Sequence, residues 1–361
     1  MMLLPTPPAT TRSTLAGMAR AAFWTLTTIA LPGSLLSTWA YFSSSPAFLA
    51  QLSPFRVQYA ALLAAYALLC LALRRPRWAL VFCAFAAFNT WAVLRPSWSD
   101  QHPARSGLVA YAAPLDAPPD ATAGAPLKIL FANILSSNSS PERLLALIAA
   151  EQPDLIALLE VNARWRAQLE SALGAAYPFA FYKNREDNFG LAVLSRRPPL
   201  SGRVEYFADV ETPSFDFNLE HGDRHLRILL THPLPPGDTA STTLRDQHLD
   251  DLANWMRFVS ELTPAGSPTP VLLLGDFNAT PWCPPLRRLL AAGGLRPAAL
   301  GHAALPVTWP VPIPFLRVPL DHALLNPALV CTSYRVGPDI GSDHYPVLLE
   351  IQIARQAAPS R

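Results

Sequence analysis

Val271-Leu272-Leu273-Leu274-Gly275-Asp276-Phe277-Asn278-Ala279-Thr280 joins an uninterrupted apolar run to a carboxylate and a carboxamide two residues apart. The run reads as a strand covered on both faces. Gly275 reads as the point where the chain bends out of the sheet. Asp276 and Asn278, at i and i+2 of an extended backbone, then point to one side. Taken alone, Asp and Asn after a strand make a turn. The stretch gains meaning because the same design recurs along the chain.

Lys128 to Ala132 is a mostly apolar run that ends in Asn133, and Leu155 to Leu159 ends in Glu160. Leu226 to Thr231, with Arg227 as its one charge, ends in His232. Pro319-Leu320-Asp321-His322 and Gly341-Ser342-Asp343-His344 each precede another apolar run. Each polar residue has an ordinary explanation by itself, as a turn, a cap or a surface histidine. Together they place metal- and phosphate-binding groups at many strand ends, which in a layered sheet fold gather on one rim.

In this order, Asn133, Glu160, His232, Gly275-Asp276-Phe277-Asn278, Asp321 and Ser342-Asp343-His344 resemble the endonuclease/exonuclease/phosphatase superfamily over residues 127–353. The resemblance implies an α+β fold, a two-sheet α/β sandwich of the deoxyribonuclease-like type. It also implies metal-assisted hydrolysis of a phosphoester with Mg2+ or Mn2+. Carried over by position, Glu160 is the principal metal ligand, assisted by Asn133 and Asp343. Asp276 orients or deprotonates the attacking water, and Asn278 holds a phosphate oxygen. His344 is the active-site histidine, with Asp321 fixing its tautomer. His232 matches a second histidine of some branches, buttressed by Asn188. A hard dication suits these oxygen donors, and no P-loop points to a kinase or NTPase.

Residues 1–95 follow other rules. No charge interrupts the chain between Arg20 and Arg56, and the runs 21–42, 57–73 and 78–94 are each apolar. A bilayer crossing needs about 20 such residues, so about three transmembrane helices are expected. Arg12, Arg20, Arg74, Arg75 and Arg77 mark the cytoplasmic side, against Arg56 alone in the first outer loop. That places the catalytic domain outside the cytoplasm, as part of a multi-pass protein of the inner (plasma) membrane. Residues 96–126, rich in Ala and Pro, read as a linker, and 354–361 as a tail.

Charged residues make up only 15% of the chain, lean for a soluble enzyme. The net charge of +2 makes nucleic acid an unlikely partner, and the sequence points to no protein partner. Cys283 and Cys331 could pair in an oxidising compartment. Ser140-Pro141 reads as a helix start carrying Leu144, Leu145 and Ile148 inward. Leu249, Leu252, Ala253, Met256 and Val259 mark a second amphipathic helix. Ser214 to Glu220 alternates as a half-exposed strand.

Thr231-His232-Pro233, Thr280-Pro281-Trp282 and Thr308-Trp309-Pro310 behind the apolar spans look like a membrane-anchored bacterial subgroup, the glycopeptide-resistance-associated polyprenyl pyrophosphate phosphatases. Trp282 and Trp309, with Phe315 and Leu316, are the candidate contacts to a lipid chain or the bilayer interface. The expected function is phosphate release from a lipid-linked phosphate or pyrophosphate. The alternatives are an extracytoplasmic nuclease or sphingomyelinase-like phosphodiesterase, and a non-catalytic membrane binding module.

Overall fold

The computed structural model describes residues 9–99, 125–222, 224–262, 268–303 and 305–354. Its larger part is a pair of six-stranded sheets packed face to face, with helices on both outer faces. In the first sheet β1 (Leu127–Asn133) runs parallel to β2 (Leu155–Leu159), followed outward by β4 (Leu191–Ser195) and β3 (Phe179–Lys183). On its other side β1 pairs antiparallel with β12 (Val347–Ile353) and then β11 (Leu329–Val336). The second sheet repeats the scheme. β7 (Arg224–Thr231) is parallel to β8 (Val271–Asp276), with β10 (Asp321–Leu325) and the short β9 (Arg296–Pro297) beyond it, and β6 (Pro213–His221) and β5 (Pro199–Tyr206) on the other flank.

The uniform apolar runs follow from burial on both faces. Alternate residues of β1 and β8, such as Phe131 and Leu274, join the layer between the sheets, while Leu130 and Leu273 face the helices. Helices α5 (Pro141–Glu151) and α6 (Ala163–Leu173) cover the first sheet through Leu144, Ile148, Trp165 and Leu169. Helices α7 (Thr239–Glu261) and α8 (Pro284–Gly293) cover the second through Leu249, Leu252, Met256, Val259 and Leu286. α7 begins with a capping box in which Asp238 accepts from the Ser241 amide at 2.8 Å. At α5, Ser140 makes no side-chain cap, Pro141 occupies the first turn, and Leu147 is buried with Leu144 and Ile148 while Leu145 packs half-buried against the same cluster.

Gly275 lies within β8, where the sequence suggested a bend. A Cβ there would stand 2.5 Å from the Thr231 carbonyl, so its role is to let β7 and β8 close up at their ends. Asp216, expected on the exposed face of its strand, is buried. It takes two hydrogen bonds from Arg227, at 2.8 and 2.5 Å, and that guanidinium lies 4.8 Å from the ring centre of Trp255 on α7. Cys283 and Cys331 are both free thiols that hydrogen bond to Thr280 and to the Ser333 carbonyl.

Ahead of the sandwich stand α1 (Ala9–Trp39), the short α2 (Phe48–Leu52), α3 (Arg56–Ala72) and α4 (Pro76–Ser99). Among the described residues two helices are long and apolar enough to cross a membrane, Phe48–Ala72 and Pro76–Arg95, where three were expected. α1 has the length, but Thr25, Thr27, Thr28, Ser34, Ser37 and Thr38 dilute its apolar character. Several of these hydroxyls bond to carbonyls one turn back, Thr27 to Phe23 at 2.8 Å and Ser34 to Ala30 at 2.7 Å. α4 runs to Ser99, so Pro96–Ser99, assigned to the linker from sequence, are helical. Residues 100–124 of that linker, and 355–361 of the tail, lie outside the described residues.

Candidate active site

The ends of β1, β2, β7 and β8 and the approaches to β10 and β12 meet at one rim. Asp276 is buried at its centre, with Oδ2 3.6 Å from Nε2 of both His232 and His344. Its Oδ1 accepts from the Asn278 amide at 3.0 Å, and Asn133 Nδ2 approaches Oδ2 at 3.3 Å. Burial works against ionisation of Asp276, but His344, then His232, then the Asn278 and Asn133 donors outweigh it and hold the carboxyl below its usual range. His344 Nδ1 lies 2.7 Å from Asp321 Oδ2. Burial alone would push this imidazole down, yet Asp321 and Asp276 raise it to about 10, so it is a cation at neutral pH.

Glu160 follows β2 with a φ of 63°, and Asn278 follows β8 with a φ of 48°. Non-glycine residues held in the left-handed region are strained, and such strain gathers at functional sites. Asn133 donates to Glu160 Oε1 at 2.9 Å, while its own oxygen accepts from the Leu135 amide at 3.1 Å. Asn133 thus bridges the Glu160 and Asp276 carboxylates. The Ser136 amide donates to Glu160 Oε2 at 3.2 Å.

The candidate metal ligands from sequence were Asn133, Glu160 and Asp343. Among the described residues, the acidic and histidine ligand atoms lying within 4.8 Å of one another belong instead to Asp276, Asp321 and His344. Within that trio His344 Nδ1 and Asp321 Oδ2 engage each other at 2.7 Å. Asp343 accepts from Trp309 Nε1 at 3.0 Å through Oδ2, while its Oδ1, like Oδ1 of Asp321, is buried without a partner. Glu160 and Asp343 carry hard oxygen donors, of the kind that fits magnesium or manganese.

Other sequence assignments move. Asn188 is exposed, has a φ of 67°, and accepts from the Ser136 hydroxyl; its neighbour Phe189 packs on His232 instead, 5.1 Å between ring centres. Trp282 is buried, its indole N–H donating to the Ser53 and Pro54 carbonyls at 3.1 Å each, so it is not free to meet a lipid chain. Trp309 stays at the rim, 6.4 Å from the His344 ring. Asn278 Nδ2 donates to the Pro233 carbonyl at 3.0 Å, tying the loops after β7 and β8 together. Phe315 is 75% exposed.

Residues to which the sequence reading gave no role brace this arrangement. Ser342 donates to the Asn133 carbonyl at 2.8 Å and accepts from the His344 amide at 3.1 Å. Thr308 Oγ1 accepts from the Asp321 amide at 3.3 Å. Buried Arg245 donates to the Asn278 carbonyl at 2.7 Å. Behind His232, Thr231 links Ser214 at 2.7 Å to His248 Nε2 at 2.8 Å.

The segment leading into α3 touches three rim loops. Gln51 donates to the Gly237 carbonyl at 2.5 Å and Gln58 to the Phe315 and Arg317 carbonyls at 3.3 and 3.1 Å, beside the Trp282 contacts already described. Ser44 also bonds to Asp246.

A family model described as "Endonuclease/Exonuclease/phosphatase family" matches residues 130–344. No curated protein matches the chain. Among solved structures, the human nocturnin catalytic domain shares 20% identity over 63% of this chain and 95% of its own, with a TM-score of 0.51. An endonuclease/exonuclease/phosphatase from Beutenbergia cavernae shares 19% over 64% and 72%, also at 0.51. A humanised D. rerio TDP2 shares 16% over 63% and 98%, again at 0.51. At these identities the likeness is one of fold.

Proposed function

The chain belongs to the Endonuclease/Exonuclease/phosphatase family, whose members hydrolyse phosphoester bonds, and from that premise we propose a membrane-anchored, divalent-metal-dependent phosphatase of a lipid-linked phosphate or pyrophosphate. The observation that carries the chemistry is the ionised Asp276 held between His232 and His344. Asp276 takes the proton of the attacking water as its oxygen bonds to phosphorus. His344, charged and fixed by Asp321, gives a proton to the departing oxygen as the old P–O bond breaks. His232 and Asn278 donate to phosphoryl oxygens that gain charge. Glu160 and Asp343, with Asn133 orienting Glu160, would hold the metal, which supplies neutralisation of the phosphoryl charge.

Membrane attachment is supported by the apolar outer faces of α3 and α4, where Leu62, Leu68 and Leu80 are each more than 60% exposed. The arginine asymmetry supports an extracytoplasmic site, and the contacts of Gln51 and Gln58 with rim loops support an opening near the bilayer. The test is phosphate release by purified full-length protein in detergent with Mg2+. The panel comprises prenyl and acyl pyrophosphates, phospholipids, sphingomyelin and plasmid DNA. Release fastest from a lipid pyrophosphate and abolished reversibly by EDTA is expected. Equal or faster cleavage of DNA would replace this reading with the nuclease one, and no turnover of any substrate would leave a binding module.

A further inference from the structure

Three arginines converge on Tyr41, at the end of the helical module that meets the catalytic domain. The Arg287 guanidinium, from the first turn of α8, lies 3.9 Å from the Tyr41 ring centre, and that of Arg56, the first residue of α3, lies 4.9 Å away. Arg95, near the end of α4, donates to the Tyr41 hydroxyl at 3.1 Å. Arg56 is fully buried, and only its Nη1 is engaged, by Asn89 Oδ1 at 3.1 Å; Nε and Nη2 have no partner. Arg287 Nε and the buried hydroxyl of Ser53 are likewise unpartnered. Among the described residues no carboxylate forms an ion pair with any of the three arginines.

That arrangement is incomplete as it stands. A buried guanidinium without a counter-ion is strongly destabilising, and a ring face beneath it supplies only a partial negative charge in place of one. Two more like charges raise the cost further. Arginines offering unspent N–H donors are the usual partners of phosphate, which they bind in bidentate fashion. Arg56 is wholly enclosed, Arg287 is half-exposed and Arg95 is exposed, so the cluster runs from the interior to the surface.

We propose that Tyr41, Arg56, Arg95 and Arg287 form an anion site for a phosphate group, built jointly by the helical module and α8 and separate from the catalytic centre. Its occupant is a phosphate monoester or diester, carried by an anionic phospholipid headgroup or free in solution. The site lies beside the Ser53 and Pro54 carbonyls that hold Trp282, so occupancy stiffens the junction between the helices and the loop that begins at Asp276. None of this depends on which substrate the catalytic centre takes.

The test compares wild type with Arg95→Gln/Arg287→Gln, whose positions are open enough to leave the fold intact, in EDTA to weaken the catalytic centre's own hold on phosphate. Thermal unfolding is followed in detergent with and without inorganic phosphate, and in nanodiscs of phosphatidylcholine with and without phosphatidylglycerol. An occupied site raises the wild-type midpoint by about 3–5 °C and leaves the double variant unmoved. A rise with phosphatidylglycerol alone, with that lipid retained in native mass spectra, identifies a headgroup. A rise with inorganic phosphate in detergent identifies the free anion. Equal behaviour of wild type and double variant under both additions overturns the proposal.

Discussion

Asp276 Oδ2 lies equally far from two imidazoles, and no other carboxylate of the rim is placed so. Its charge is kept by neighbours rather than by water, and removing it takes away the base while leaving two histidines facing each other. Asp276→Ala is expected to lower turnover by about two to three orders of magnitude, as loss of one charge-positioning group does, with little loss of melting temperature. The check is kcat on the best substrate beside the thermal midpoint; a near-normal rate would rule out the role given to Asp276. At this scale the sequence was informative about placement where a motif residue sits at a strand end, as Asp276, His232, His344 and Asp321 do, all four meeting at one rim. It was uninformative where a residue acts through a partner distant in the chain. Nothing local to Trp282 points to carbonyls at 53 and 54, and nothing near Asn188 shows that Phe189, one residue on, is what reaches His232.

The elements owe their placement to burial, and the clearest case joins β6, β7 and α7. Ser214, Thr231 and His248 form a hydrogen-bonded chain from sheet to helix, with Phe207 against the imidazole at 5.1 Å between ring centres. Burial, and to a lesser degree the proximity of His232, lowers the His248 pKa to about 3. In the unfolded chain the same group titrates near its ordinary value of about 6.5. The folded state therefore binds the proton less readily, and the stability that the neutral ring confers is complete above pH 6.5. It is lost as pH falls from 6.5 toward 3, by about 1.4 kcal/mol per unit. His248→Gln, which keeps a partner for Thr231 but does not titrate, is expected to flatten that decline; melting profiles at pH 7, 5.5 and 4.5 check it, and parallel losses in both proteins would refute it. The strands themselves were legible because parallel neighbours buried on both faces leave unbroken apolar runs. Asp216 misled because alternation cannot reveal that Arg227 and Trp255 close over a strand's outer face.

On the scale of the whole molecule, the helical module and the sandwich are not independent, because the segment from Ser44 to Gln58 bonds to α7 and to loops that carry the rim. Deleting residues 1–99 is expected to slow hydrolysis even of a water-soluble chromogenic phosphoester, by roughly ten- to hundredfold, since small misplacements of reacting groups are costly. Full activity of the deleted protein on that substrate would show that the contacts are only an attachment. None of this partnership was visible in the sequence, where the apolar prefix and the motif-bearing domain read as independent units. The register Leu127 opposite Ile351 has a consequence of its own. β1 enters and β12 leaves side by side, at the pole away from Asn133, so the domain's two ends are neighbours. A short bridge between them would make a ring that can be opened at another surface loop, and a handle attached after β12 points away from the chemistry.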